Sequence, residues 1–156
     1  MHLEKALAAY NLTMPPPPAK GGLYEPAVQF SDKLIYLSGC GPNFAGDDEK
    51  KFAGKVGIDY TIEEGQDAAR RCAVNLLAVL QKKIGDLIKV KHIVKMTVFV
   101  ACADDFYDQP KVANGASQLL MDVFGEKAGC SSRSAVGTNA LPGNIPVEIE
   151  MLVEVY

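Results

Sequence analysis

His92-Ile93-Val94-Lys95-Met96-Thr97-Val98-Phe99-Val100-Ala101 is the stretch on which the fold turns. β-Branched and aromatic residues dominate it, as they do where a pleated surface is packed. With a period of two, Val94, Met96, Val98 and Val100 take one face, and Ile93, Lys95, Thr97 and Phe99 take the other. Both faces carry apolar side chains, so the pattern predicts a strand covered on both sides.

Upstream, Thr61-Ile62-Glu63-Glu64 has the form of a capping box. Ala69, Cys72, Ala73, Leu76, Leu80 and Ile84 then recur at three and four until Gly85 stops the helix. Gln66, Arg70, Arg71 and Lys82 occupy its opposite face, which is expected to be wet while the apolar face lies on a sheet. Downstream, a second helix begins near Pro110, where proline is tolerated. It runs through Val112, Ala116, Leu119, Leu120 and Val123 to Gly125. Ser132-Arg133-Ser134-Ala135-Val136 follows, then Leu141-Pro142-Gly143, then a strictly alternating run from Val147 to Tyr156. Val147, Ile149, Met151, Val153 and Val155 share one face of that run; Glu148, Glu150, Leu152, Glu154 and Tyr156 share the other. A short turn centred on Pro142 predicts that these last two strands lie side by side. Arg133 and Glu148 would then meet at the rim of a pocket.

Toward the N-terminus, Tyr24 to Phe30, Ser31-Asp32 and Lys33 to Ser38 read as a hairpin that ends at Gly39-Cys40-Gly41-Pro42. Asn43 to Gly57 is a polar loop whose Gly54-Lys55 lacks the earlier glycine of a phosphate-cradling loop. Leu3, Ala6, Leu7 and Tyr10 mark a short helix, and Pro15 to Pro18 a stiff extended connector. The whole reads as one α+β domain over residues 1–156: a mixed sheet with two main helices on one face. Residues 1–20 form an N-terminal helix and Pro-rich extension. Helices on one face leave Phe99, Leu152 and Tyr156 on the other, so a homo-oligomer is expected.

Composition narrows the function. A net charge of −3 with scattered Lys and Arg disfavours a nucleic-acid partner. No apolar run approaches the length of a membrane span, and Met1-His2-Leu3-Glu4-Lys5 does not open a signal peptide. Cys40, Cys72, Cys102 and Cys130 are too evenly dispersed for a zinc motif, and we read them as reduced thiols in a cytoplasmic protein. His2 and His92 are isolated, so neither a histidine-based hydrolase nor a metal site is expected.

Candidate chemistry rests on four residues. Arg133 is either a fork for a small carboxylate or a rim ion pair. Glu148 shares a strand face with Glu150 at ~7 Å, which suits a general acid or base with a raised pKa, or an ordinary wet acidic face. Tyr24, after Gly21-Gly22-Leu23, either donates to a ligand or packs. Asn114 near the start of the second helix caps it or bonds a loop carbonyl. Gly39 closes the hairpin.

Gly22-Leu23-Tyr24, Leu37-Ser38-Gly39, Met96-Thr97-Val98-Phe99-Val100 with Asp105-Phe106, and Asn114 stand in the order found in a known family. So do Ser132-Arg133-Ser134-Ala135-Val136, Leu141-Pro142 and Val147-Glu148-Ile149-Glu150. Over residues 20 to 156 the chain resembles the RidA (YjgF-type) family. That family is named for reactive-intermediate deamination, and its older labels are endoribonuclease L-PSP and translation inhibitor. The resemblance implies a chorismate-mutase-like fold, a homotrimer with clefts between subunits, and no cofactor. It implies hydrolysis of enamine and imine acids to keto acids and ammonia, in the manner of a 2-iminobutanoate/2-iminopropanoate deaminase. Arg133 would hold the substrate carboxylate and Glu148 would activate water. Tyr24 would close the pocket, the Gly39 amide would bond the ligand, and Asn114 would order the cleft. A non-catalytic trimeric module that binds small carboxylates is the alternative. RNA cleavage rests on the older label alone. Ala135 stands where many members have Cys or Thr, Tyr107 to Ala113 is long, and the N-terminal extension is additional. These departures mark a divergent branch.

Overall fold

The elements in chain order are α1 (Leu3–Ala8), β1 (Ala27–Phe30), β2 (Leu34–Cys40), α2 (Ile62–Ile84), β3 (Val90–Ala101), α3 (Gln109–Phe124), α4 (Glu126–Gly129), β4 (Ser132–Thr138) and β5 (Val147–Val155). They are taken from a computed structural model that describes residues 1–46 and 50–156. Of the loop read over 43–57, residues 47–49 therefore lie outside the described residues.

The strands form one mixed sheet in the order β1-β2-β5-β3-β4, with β3 and β4 parallel and the other pairs antiparallel. Ile35, Leu37, Met96, Val98, Ile149 and Met151 point to one face and are fully buried there. Above them lie Cys72, Leu76 and Leu80 of α2 with Val112, Leu119 and Leu120 of α3, also fully buried. The periodicities of two and 3.6 thus meet in one core. The capping box forms as expected: Glu64 N–H donates to Thr61 Oγ1 at 3.2 Å and Thr61 N–H to Glu64 Oε1 at 3.1 Å. Such a cap contributes about 1 kcal/mol. At the far end Gly85 adopts φ 87°, a conformation that costs a Cβ-bearing residue steric strain. α1 joins the same core through Ala6 and Leu7, and Tyr10 Oη donates to Asp122 Oδ2 of α3 at 3.1 Å.

Four expectations need correction. β4 and β5 are not neighbours, because β3 lies between them. The helix joining β3 to β4 requires a parallel crossover, which places β4 on one flank of β3. β5, with an apolar face buried along its whole length, takes the other flank and a central position. Pro142 opens a short 3-10 turn in the long connection and does not form a tight hairpin. Ile93 also changes face: register shifts between Val90 and His92 and between Ile93 and Lys95 turn it into the core. Arg71 is buried, at 4% exposure, because the loop after β2 folds over the outer face of α2. Its guanidinium stacks 3.8 Å from the Phe44 ring centroid and its Nε donates to the Pro42 carbonyl at 3.0 Å. Finally, β1 begins only at Ala27, so Tyr24 lies in the bend before it.

No helix among the described residues lies on the second sheet face. Val28, Phe30, Tyr36 and Val136 project from it, each more than 40% exposed. Among the described residues no helix is long and apolar enough to cross a membrane.

Candidate functional site

Glu148 projects from the helix-free face. It pairs in register with Phe99, while Val147, Ile149 and Met151 on either side are buried in the core. Across from it β2 carries a bulge between Leu37 and Cys40, where an extra residue is accommodated opposite β5. Gly39 sits in that bulge. A Cβ there would stand 2.7 Å from Glu148 Oε1, so only glycine leaves the carboxylate its place. Ser38 anchors the preceding segment twice, with its N–H donating to the Pro26 carbonyl at 2.9 Å and its Oγ to the Glu25 carbonyl at 2.7 Å. Tyr24, just upstream of that anchor, and Gly39 line the same cavity. The Tyr24 hydroxyl oxygen accepts the Gly21 N–H at 2.9 Å, which fixes the oxygen and leaves its proton to donate elsewhere. Gly21, Tyr24, Ser38, Gly39, Pro142 and Glu148 enclose a cavity of about 420 Å³.

The charges within this group are divided in role. Tyr36 Oη donates to Glu150 Oε1 at 3.2 Å, so Glu150 is tied to the sheet surface. Glu148 has no hydrogen-bond or ion-pair partner among the described residues. Burial, and secondarily the like charge of Glu150, raises its pKa above the usual carboxylate value. The two-apart spacing therefore has the electrostatic effect expected of it. Replacing Glu150 with Gln keeps an acceptor for Tyr36 and removes the charge, so Glu148 should then titrate at lower pH. The shift should be partial, because burial remains. Carboxyl carbon NMR titration of Glu148 in E150Q reads this directly. An unmoved or upward-shifted midpoint would refute the coupling. The nearby Cys40 thiol is pushed up to about 12 by burial and by Glu148, so it is a packed hydrophobe and no nucleophile.

Arg133 belongs to the other face. It pairs in register with the buried Met96 and reaches across the sheet edge to α3. Its Nη1 donates to Asn114 Oδ1 at 2.8 Å and to Ser117 Oγ at 3.0 Å, and its Nη2 to the Pro110 carbonyl at 3.3 Å. Of the five guanidinium N–H groups these bonds engage three. The Nε proton and one Nη2 proton remain. They are the donors the guanidinium has left for a carboxylate. Asn114 Oδ1, by accepting from Nη1, holds the cation in place and neither caps the helix nor bonds a loop carbonyl. Ser117 escapes sequence reading; its signal is the i, i+3 spacing from Asn114, which puts both side chains on one helix face.

Within one chain, then, Tyr24, Gly39 and Glu148 come together, as do Arg133 and Asn114. The two groups do not meet. Met96 and Phe99, the register partners of Arg133 and Glu148, are three apart on an unshifted stretch of β3 and face opposite ways. The meeting expected from a Pro142 hairpin is therefore excluded within a single subunit.

Comparisons bear on what these groups are for. The family model described as "YjgF/chorismate mutase-like, putative endoribonuclease" matches residues 4–155. The protein TCP17 of Trypanosoma cruzi is 46% identical over 101 residues, which are 65% of this chain and 63% of that protein. The crystal structure of Atu1372 from Agrobacterium tumefaciens, a protein of unknown function, superposes with a TM-score of 0.88. It is 37% identical and covers 99% of this chain and 92% of its own. TdcF of E. coli, solved with bound serine, gives a TM-score of 0.63 at 25% identity, over 92% of this chain and 96% of that one.

Proposed function

The chain belongs to the YjgF/chorismate mutase-like family, and on that premise we propose that it hydrolyses imine and enamine acids to keto acids and ammonia. The observation that carries the reading is an unpaired, half-buried Glu148 facing a cavity, complemented by a guanidinium with two N–H groups left unused. Because the two lie on opposite faces of one sheet, the working site is formed between copies, with Arg133 from one and Glu148 from the next. The apolar helix-free face supplies the surface on which copies pack, and a homotrimer is the assembly proposed.

Arg133 grips the substrate carboxylate through Nε and Nη2. The imine carbon then lies before Glu148, which takes a proton from water as the water oxygen adds to that carbon. Glu148 passes that proton to the nitrogen, giving a carbinolamine. It then takes the carbinol hydroxyl proton and delivers it to the nitrogen as the carbon–nitrogen bond breaks, leaving ammonia and a keto acid. Tyr24 holds the oxygen or the leaving nitrogen by a hydrogen bond from its hydroxyl, without net transfer of its proton, and the Gly39 amide lies alongside. An imine carbon is already electrophilic, so orientation and one well-placed base provide much of the acceleration. A base with a raised pKa is better matched to neutral pH than an ordinary carboxylate.

The test is release of pyruvate and ammonia from 2-aminoacrylate generated in situ, followed against the spontaneous rate. An unchanged rate with the protein present would remove the deaminase reading. A second reading has one observation in its favour: TdcF was solved with bound serine, a small carboxylate. In that reading the same fork binds amino or keto acids without turnover. Calorimetric binding with no acceleration of any imine would select it.

A further inference from the structure

The cavity at Glu148 does not end at Gly39. A second cavity of about 390 Å³ adjoins it and shares Gly21, Tyr24, Ser38, Gly39 and Pro142 as walls. Beyond that shared wall the lining is mostly apolar, with Pro18, Pro26, Val79 and Ile145. Of the amide side chains that border it, Asn43 is fully engaged, and Asn75 keeps one buried acceptor, its Oδ1, without a partner among the described residues. Asn75 Nδ2 donates to the carbonyls of Gly41 and Asn43, and Asn43 exchanges two hydrogen bonds with the Phe52 backbone. The one charged residue on the wall, Lys20, is exposed. Pro18, Ala19 and Lys20 come from the Pro-rich segment after α1, which was expected to be additional to the family but which the family model spans. This segment helps to roof the chamber.

We propose that the inner chamber receives the substrate's side chain, which makes bulky, uncharged 2-imino acids of leucine or methionine size the preferred substrates. The proposal rests on the imino-acid reading of the Glu148 cavity and specifies the substrate class for it. At about 30 Å³ per liquid water the chamber has room for on the order of a dozen waters, far more space than a methyl group needs. Apart from Asn75 Oδ1, such water finds few free side-chain partners there, and an uncharged, mostly apolar side chain displaces it favourably. A carboxylate would lose its hydration without a buried donor, and one amide oxygen does not replace the hydration of an ammonium.

Stable keto acids report on the chamber independently of turnover. Calorimetry with 4-methyl-2-oxopentanoate, pyruvate and 2-oxoglutarate should show the branched acid binding at least about tenfold more tightly than the other two. Val79→Phe fills the chamber from α2 and should abolish that preference while leaving pyruvate affinity unchanged. Ile145→Ala truncates a half-buried wall residue and should move the preference toward phenylpyruvate, which keeps the test decisive if V79F does not fold. Imines released by an amino-acid oxidase from leucine or alanine should show the same ratios in kcat/KM. Imine turnover with no size preference, or a preference that neither variant alters, would overturn the chamber proposal and leave the deaminase reading standing. Size-selective binding without imine turnover would do the reverse. Tightest binding of 2-oxoglutarate would also overturn the proposal, by pointing to Lys20 as an anion site.

Discussion

Arg133→Ala should lower kcat/KM for 2-aminoacrylate by about 10²–10⁴-fold while the far-ultraviolet circular dichroism stays that of the wild type. That magnitude follows from the two N–H groups that the guanidinium has left unused. Each charge-assisted bond to a carboxylate contributes roughly 1.5–3 kcal/mol, and every 1.4 kcal/mol is a factor of ten. The fold should tolerate the loss. Asn114 and Ser117, left without the cation, lie close enough to the surface for water to replace it. Arg133→Lys separates charge from geometry, since an ammonium keeps the attraction and loses the planar fork, so its rate should fall between the two. Stopped-flow or coupled measurement of pyruvate release decides the matter. Equal rates for wild type and R133A would mean that the guanidinium only braces α3.

Glu148→Gln should reduce kcat by about 10²–10⁴-fold, the usual contribution of a positioned general base, with a small effect on keto-acid affinity. The substitution preserves shape beside Gly39, where space is tight, and removes only the ability to accept a proton. In the wild type, activity should fall as pH is lowered through the raised pKa of Glu148, since the ionised carboxylate is the base. The opposite-face geometry adds a sharper test. Arg133 and Glu148 acting together must come from different copies, so R133A and E148Q chains should complement one another. Random assembly of equal amounts pairs an intact Arg133 with an intact Glu148 at about a quarter of the clefts. Unfolding and refolding the mixture should therefore recover about a quarter of wild-type activity. Recovery no greater than the average of the two variants would rule out a shared site.

The strands and helices are legible because their periodicities are strong and agree with the capping and stop signals around them. Val147 to Val155 alternates without a break, and the run from Ala69 to Ile84 repeats at three and four between Thr61 and Gly85. Where the pattern misleads, a non-local contact has intervened. Arg71 reads as a wet residue from its helix position, yet the chain after β2 returns to cover it. Ile93 reads as outward until the register shifts in β3 turn it inward. The candidate residues are legible one at a time: Glu148 from its place beside Glu150, Arg133 from its place at the start of a strand. Ser117 is not, because a serine on a helix acquires meaning only when a guanidinium is laid across it.

Local order thus follows from the order of residues, since each alternation, cap and proline acts over a few positions. It specified an α+β chain with one sheet face under helices, and a motif set that placed it in its family. Strand neighbours are another matter, because they depend on which flank of β3 each later strand can occupy. Nothing in the spacing of Arg133 and Glu148 reveals that β3 runs between them or that they face opposite ways. That choice was made by the handedness of the β3–α3–β4 crossover and by burial of β5 on its full length. It turns a pair that looked ready to meet within one subunit into two half-sites that, for the proposed reaction, require a neighbour.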